Sequence, residues 1–446
     1  MPAQLGKADP TDPPPIDVAA ALQDAKVAHR EGRLEHAERG YRSILKAQGD
    51  HPDALHLLGL VAYQRGEGKK AVSLIEQAIA AAPNNADFHF NLGKVHKLQG
   101  HPDLAIPCYE RAHRLAPENP GTLLNLGNCW RLRGDMRRAE RCYRMVLSLD
   151  NKHLAALNNM GTLCRGEGRF DEAETFYRRA LEVDQTSPAV WENLAKTLTD
   201  VERLPEAAEA YRRTLKLDSS RETATHMLAA IEGRTTTTAP EAYVRQLFDD
   251  YAARFEQHLV GELGYSIPTL MRSWLDGQES GGGATIERAL DLGCGTGLVG
   301  GALRERIAFL QGVDLSPKMI AQARQKSVYD ELIEADVVTV LKASPPASWN
   351  LILAADVLIY VGDLEKVMTE IGRCLKPGGH FLFSVESPDE DEGYRLRASG
   401  RYAHSEAYVM AQAERVGLSS SLCRPVPLRK NGPDTVSGVL IALTRD

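Results

Sequence analysis

The chain has 446 residues, 43% hydrophobic and 25% charged, with a formal net charge of −7; that suffices for about two to four domains and excludes the basic stripe of a general nucleic-acid binder. Its seven cysteines stand singly, with no CxxC pair and no Cys/His cluster at zinc spacing, so neither disulfides nor a metal site are expected and the compartment reads as reducing and cytoplasmic. No uncharged apolar run approaches the ~20 residues of a membrane span. Residues 1–17, MPAQLGKADPTDPPPID, lack a signal-type apolar stretch and are expected to be a disordered lead.

From residue 18 the sequence repeats. Gly59, Gly93, Gly127, Gly161, Ala195 and Ala229 recur every 34 residues. Ala71, Ala105, Ala139, Ala173 and Ala207 follow the first five by twelve, and Ile75, Tyr109, Tyr143, Tyr177 and Tyr211 come four later. A second glycine row, Gly66, Gly100, Gly134 and Gly168, lies seven after the first and breaks at Glu202. Ala25, Gly32, Ala37 and Tyr41 extend the frame backwards. The period predicts one helical hairpin per unit. Small residues let its helices approach, and the tyrosines are expected to fill the gap between neighbouring hairpins. One hairpin cannot cover its own apolar face, so the units must stack.

These rows resemble the tetratricopeptide repeat family over residues 18–221, six units, followed by a capping helix in RETATHMLAAIEG; the solenoid is placed at 18–232. The family's turn proline stands at Pro83 and Pro117 and is replaced by Asn151, Gln185 and Ser219. Two residues before the small residue stand Asn91, Asn125, Asn159 and Asn193. In a stacked superhelix such positions line the inner groove, and an amide offers both a donor and an acceptor. The row is similar at these four positions to the array of O-linked N-acetylglucosamine transferase. It implies binding of a protein or extended peptide through its backbone; the alternative is that each amide bonds within its own repeat.

Residues 233–284 read as a linker and helical lid. EGRTTTTAPE loses the period, and in the next stretch Leu247, Tyr251, Phe255, Leu259 and Leu263 recur every four residues as an amphipathic helix would place them. FDDYAARFEQHLVGELGY resembles the segment that leads many small-molecule methyltransferase domains, which makes Tyr251, Phe255 and His258 lid candidates; the alternative is a packing stripe. Three glycines at 281–283 close the region.

From residue 285 to 446 short apolar strands alternate with helices, which argues a parallel sheet covered on both faces with ligands at the strands' carboxyl ends. LDLGCGTGLVG carries Asp291, Gly293, Gly295, Gly297 and Gly300. The last three spell GxGxxG, which alone suits either a dinucleotide or S-adenosylmethionine. An acid entering the turn at Asp291 would repel a pyrophosphate but can receive an ammonium. Asp314, 23 residues on, can accept ribose hydroxyls in either case. Asp336 after the third strand can accept an adenine amino group, with Val337 against the ring; the alternative is that Asp336 caps a helix.

LDLGCGTG, GVDLS, EADV, LILAADVLIY and LKPGGHFLFS, in that order, resemble class I S-adenosylmethionine-dependent methyltransferases. The whole chain is thus expected to be multidomain: an all-α repeat solenoid followed by an α/β Rossmann-like methyltransferase domain. The resemblance implies S-adenosyl-L-methionine as cofactor. Asp291, Gly293, Gly295 and Gly297 would hold its methionine end, Asp314 its ribose, and Asp336 with Val337 its adenine. Asp356 would end the fourth strand beside the transferred methyl. Methyl transfer mainly requires alignment and exclusion of water. Asp356, Tyr360, Glu386, Tyr402 and His404 are the polar candidates there, with His404 able to take a proton near neutral pH. AADVLIY in place of an NPPY-type motif argues against amino methylation of planar amides or bases, and the acceptor stays open. The acidic PDEDEG at 388–393 reads as a solvated loop or a gate. The competing readings are a protein-interaction scaffold on a non-catalytic cofactor fold and a nicotinamide-dependent oxidoreductase.

Overall fold

A computed structural model describes residues 16–277, 285–388, 393–431 and 434–446. The proline-rich lead up to residue 15, the glycine run at 281–283 and most of PDEDEG lie outside the described residues. The chain divides into two compact units, Met1–Gln185 and Thr186–Asp446.

The first unit holds five helical hairpins: α1 (Val18–Arg30) with α2 (Leu34–Ala47), α3 (Pro52–Gln64) with α4 (Gly68–Ala81), α5 (Ala86–Leu98) with α6 (Pro102–Leu115), α7 (Pro120–Leu132) with α8 (Met136–Leu149), and α9 (Leu154–Gly166) with α10 (Phe170–Val183). Each hairpin bends at a residue of the second glycine row, with φ between 75° and 79° at Gly32, Gly66, Gly100, Gly134 and Gly168. The hallmark glycines have a steric reason. A Cβ on Gly127 or Gly161 would lie 2.6 Å from the ring of Tyr143 or Tyr177, and on Gly93 3.0 Å from Tyr109. These tyrosines, all at most 1% exposed, therefore press on the glycine sixteen residues earlier in the same hairpin. The close approach that glycine makes possible is thus between the two helices of one unit.

The second unit opens with a sixth hairpin, α11 (Pro188–Asp200) and α12 (Leu204–Leu217), where Glu202 takes the left-handed turn at φ 59°, and with the single helix α13 (Glu222–Ile231). Within this unit α13 packs against the sheet-bearing part of the chain. Its Ala229 and Ala230 are buried with Ile359, Tyr360, Leu396 and Tyr402. His226 Nε2 donates to the Gly400 carbonyl at 3.0 Å. The threonine run expected to be a linker is a hydrogen-bonded strap. The Thr237 carbonyl accepts from Gly362 N (3.0 Å) and Asp363 N (2.8 Å), and Thr236 Oγ1 pairs with the Tyr402 hydroxyl at 2.6 Å.

After the strap come α14 (Glu241–Tyr251), a short 3-10 turn, a π-helical turn (Gln257–Glu262) and α15 (Ile267–Gly277). A nine-stranded sheet comes next, in the order β3-β2-β1-β4-β5-β7-β6, with β9 also on β5 and β8 on β9. Its strands are β1 (Ile286–Leu292), β2 (Ile307–Asp314), β3 (Glu331–Glu334), β4 (Trp349–Ala354), β5 (Leu375–Glu386), β6 (Tyr394–Leu396), β7 (Tyr402–His404), β8 (Leu418–Asn431) and β9 (Asp434–Arg445). β3 through β5 in that order run parallel, linked by α16 (Leu298–Leu303), α17 (Pro317–Lys326), α18 (Val337–Ala343) and α19 (Glu365–Cys374); α20 (Glu406–Glu414) precedes the antiparallel β8–β9 pair. Leu290, Ile352, Phe381 and Phe383 face one buried layer, and Ala289, Leu351, Leu353 and Leu382 the other. A strand buried on both faces cannot alternate with polar residues, which explains runs such as LILAA. Asp314 and Glu386 end β2 and β5, Asp291 is the penultimate residue of β1 and Asp356 follows β4 by two residues, so the sheet gathers carboxylates along the carboxyl ends of its strands.

Candidate functional site

The loop after β1 takes left-handed backbone three times, at Gly293 (φ 61°), Gly295 (φ 55°) and Gly297 (φ 89°). Glycine adopts this without strain, and here it also leaves space, since a Cβ on Gly293 would enter the Val357 side chain. The Cys294 amide donates to the Val313 carbonyl at 2.8 Å, pinning the loop to β2, and the Cys294 thiol is buried. Gly300 leaves room for the ring of Tyr329.

Asp291 and Asp314 meet at this loop. Asp291 is 1% exposed and accepts from the Tyr329 hydroxyl at 2.7 Å. Burial pushes its carboxyl up to about 7, against the Tyr329 hydrogen bond, with the Asp314 charge adding to the rise. Asp314 accepts from Gly295 N (2.9 Å) and Ser316 N (2.8 Å), and burial raises it to about 6. Asp336 stands one strand further out. Its Oδ1 caps α18, accepting from Val338 N (2.9 Å) and Thr339 N (3.0 Å), while its Oδ2 accepts no hydrogen bond among the described residues. Val337 is half-buried against the core beside it.

The segment before the sheet closes over the loop. Phe255 lies 3.8 Å from where a Gly295 Cβ would be. Ser316 Oγ donates to Asp249 Oδ1 at 2.6 Å, Lys318 Nζ to the Asp249 carbonyl at 3.0 Å, and Gln322 Nε2 to the Ala252 carbonyl at 2.6 Å. Tyr251 and His258 pair through the hydroxyl and Nδ1 at 2.5 Å, so His258 braces the lid. Asp249 and Tyr329 were not legible as site residues. Asp249 reaches its partner Ser316 at the head of α17, 67 residues on, and Tyr329 acts through a side chain that reaches back 38 positions to Asp291.

A second polar cluster lies at the ends of β4 and β5. Asp356 is left-handed at φ 56°, a conformation that costs a non-glycine residue about 1 kcal/mol or more and is held here by its contacts. Its amide donates to Ser384 Oγ at 2.9 Å, its Oδ1 accepts from that hydroxyl at 3.0 Å, and its Oδ2 pairs with Arg429 Nη1 at 2.9 Å. Burial holds its carboxyl above the usual range in spite of Arg429. Arg429 also bonds Glu386 Oε1, and Arg397 reaches Glu386 Oε2 at 3.3 Å. Arg429, 7% exposed, carried no sequence signal: it comes from β8, 73 residues after Asp356. Tyr360 is buried beside this cluster, its ring edge-on to Phe248 at 5.5 Å.

His404 is the site expectation that the structure turns aside. It is 1% exposed, and its Nε2–H is shared between the carbonyls of Val361 (2.9 Å) and Gly362 (3.0 Å). Its ring is stacked near Tyr394 and Tyr408, and burial drops it to about 4. A ring already donating to two carbonyls, with its other nitrogen buried, ties the loop after β4 to β7 and is not presented to an acceptor. Tyr402 is likewise fully buried, spent on Thr236.

The asparagine row is partly engaged. Asn91 Nδ2 donates to the Asp87 carbonyl at 2.9 Å, Asn125 Nδ2 to the Gly121 carbonyl at 2.8 Å, and Asn159 Nδ2 to Asn128 Oδ1 at 2.9 Å. Lys97 donates to Asn125 Oδ1 at 2.6 Å. The Oδ1 atoms of Asn91 and Asn159 accept nothing among the described residues, and Asn193, in the second unit, is half-buried.

Tetratricopeptide repeat families match residues 22–86, 57–120, 120–186 and 153–220, and a methyltransferase-domain family matches residues 290–383. The Malonyl-(acyl-carrier protein) O-methyltransferase of Enterobacter lignolyticus is 28% identical over 134 residues, 30% of this chain and 53% of that protein. The Ubiquinone biosynthesis O-methyltransferase of Azoarcus sp. is 29% identical over 125 residues, 27% of this chain and 52% of that protein. The chain spans about half the length of these curated relatives. A solved structure of Pseudomonas aeruginosa pilF covers 46% of this chain and 92% of its own at 20% identity, with a TM-score of 0.42. Among the described residues, no helix is long and apolar enough to cross a membrane.

Proposed function

From the premise that this chain joins a tetratricopeptide-repeat array over residues 22–220 to a methyltransferase domain matched over 290–383, we propose that it is an S-adenosylmethionine-dependent O-methyltransferase whose array recruits a protein partner or substrate. The observation that carries the reading is the cradle itself: three left-handed glycines, two buried carboxylates behind them, and an aromatic lid on the same loop. When bound, the cofactor would supply a methyl group carried on a sulfonium. The glycine loop would hold the methionine end. Asp314, its oxygens already oriented by two backbone amides, would hold the ribose. Asp336 would offer Oδ2 to the adenine amino group, with Val337 against the ring. Asp291 acts from beneath, bracing the loop and biasing it towards a cation by its charge.

The chain's own residues then align and enclose. Phe255 and the helices around it exclude water. Asp356 and Glu386 are committed to arginines, and His404 to carbonyls, so their work is to fix the walls of the site. Carboxylates in place of donors at the loop disfavour the pyrophosphate that a nicotinamide cofactor would bring. In the array, the carbonyl oxygens of Asn91 and Asn159 are placed to accept from a peptide backbone; Asn125 and Asn193 belong to the same row.

Titration calorimetry with S-adenosylhomocysteine tests the reading. Wild type is expected to bind, and Asp314→Ala to lose most of that affinity. Absence of binding by wild type, or equal binding by the variant, rejects the methyltransferase reading in favour of a scaffold.

A further inference from the structure

The fourth hairpin of the array carries a charge that its neighbours do not. Residues 120–153 hold seven Lys and Arg against three Asp and Glu, a formal +4 in a chain of −7, while the balance is 0 over residues 86–119 and −2 over 154–187. The excess is concentrated on α8, where it breaks two local rules. The first turn of a helix favours acids, because its free amides give it a partial positive charge. Arg137 nevertheless stands in the first turn of α8, which holds no acid, at the place that Asp103 takes in α6 and Asp171 in α10, 34 residues to either side. Like charges four apart on one helix repel, and Arg137 and Arg141 are so spaced, both exposed.

The neighbouring carboxylates do not relieve this. Asp103 is paired with Arg133 at 2.7 Å, Asp135 with Arg138 at 3.3 Å, and Glu140 is shared by Arg144 at 2.7 Å and Arg169 at 3.1 Å. Arg138 also lies over the ring of Trp130, 4.3 Å from its centroid. The guanidinium groups of Arg137 and Arg141 make no ion pair or hydrogen bond among the described residues. With Glu140, Arg144, Met145 and Ser148 they line an open depression of about 420 Å³ along one face of α8. A local rule broken without a structural return marks a place where function sets the residue. A guanidinium presents a planar fork that matches a carboxylate. Met145, half-buried in the same depression, adds an adaptable apolar contact. A nucleic acid would call for a basic stripe across several elements, whereas here the excess charge is confined to one hairpin.

We propose that this face of α8 is a docking surface for an acidic segment of a partner protein, with Arg137 and Arg141 as its carboxylate contacts. The surface lies on a second helix of its hairpin, apart from the asparagine row on the first helices. It rests on the reading of the array as a recruiting surface and not on that of methyl transfer. The test titrates the full chain, by fluorescence anisotropy, with a short labelled peptide of glutamate and leucine, the same peptide with glutamine for glutamate, and a single-stranded DNA oligonucleotide. The glutamate peptide is expected to bind wild type and to weaken several-fold as salt is raised from about 0.05 to about 0.3 M. The glutamine peptide should bind at least about tenfold more weakly, and Arg137→Gln with Arg141→Gln together should lose the glutamate peptide by a similar factor. Arg178→Gln on α10, whose arginine is paired with Glu174 at 2.7 Å, and Asn159→Ala in the inner row should leave that binding unchanged. Arg137→Glu should melt no lower than wild type, since it puts an acid where the helix favours one; a merely structural arginine would give the opposite. Absence of glutamate-peptide binding by wild type, equal binding of the glutamine peptide, unchanged binding in the double variant or tighter binding of the oligonucleotide overturns the proposal. Binding lost in Asn159→Ala and kept in the double variant also overturns it, and leaves the recruiting role of the array standing.

Discussion

The array and the sheet build their important contacts over different distances along the chain. In the hairpins, a hallmark glycine meets a tyrosine sixteen residues later, and that contact recurs at Gly93, Gly127 and Gly161. In the sheet unit, Asp356 meets Arg429 across 73 residues, and Ser316 meets Asp249 across 67. A local contact repeats whenever its short motif repeats. A distant one exists once and depends on the whole sheet being assembled. The array should therefore respond to substitution as packing does, and the sheet unit as electrostatics and ligand binding do.

The largest effect should come from the array. Tyr143→Ala removes a fully buried ring and is expected to cost about 4 kcal/mol of apparent array stability with S-adenosylhomocysteine affinity unchanged; urea unfolding followed by circular dichroism, paired with calorimetry, checks this. A matching loss of cofactor affinity would erase the contrast between the two units.

Next is a pH effect at Asp291. Its folded carboxyl titrates near 7, above the ordinary 3.8. The native state therefore holds the proton more tightly, and stability falls as pH rises from about 4 to 7 and is flat above. Asp291→Asn should be more stable than wild type by about 2 kcal/mol at pH 8, within the upper bound set by the shift, and should show no such gain at pH 4. An equal gain at both values would be incompatible with a buried ionised carboxylate. By the same linkage, affinity for the cationic cofactor should rise as pH rises through 6 to 7, with proton release detectable by calorimetry in buffers of different ionisation enthalpy.

Asp314→Ala probes the contrast from the other side. Cofactor affinity is expected to fall by about a hundredfold, equivalent to about 2.7 kcal/mol, with the melting temperature held or raised because the lost carboxylate was buried. A melting temperature that falls in step with affinity would make Asp314 a fold residue. The smallest effect is at the strap: Thr236→Val removes the 2.6 Å bond to Tyr402 and should cost about 1 kcal/mol in thermal unfolding. A variant as stable as wild type would mean that the threonine run contributes through its main chain alone.

Much of the fold was readable, and the reason is visible in particular residues. The period of 34 specified the hairpins from Ala25 to Ala229. GxGxxG after LDL announced a strand, a left-handed turn and a helix, and all three are present. The reading fell short where partners are distant. EGRTTTTAPE has the composition of a linker, yet its backbone is taken up by Gly362 and Asp363, more than 120 residues on. GRYAHS offered a histidine of suitable chemistry, but the direction in which His404 points is set by the carbonyls of Val361 and Gly362. Tyr329 and Arg429 were invisible because each acts on a carboxylate in another element.

Residue order alone was enough to establish the elements and their succession: the stacked hairpins, the alternation of strand and helix, and the acids that end the strands. Those features arise from spacing, turn conformation and burial, which neighbours along the chain can specify. It took the folded chain to show that the last helix of the array clamps Gly400 and that Arg429 is shared by Asp356 and Glu386. Charge pairing depends on which side chains meet in space, and in this unit the sheet brings them together from segments tens of residues apart.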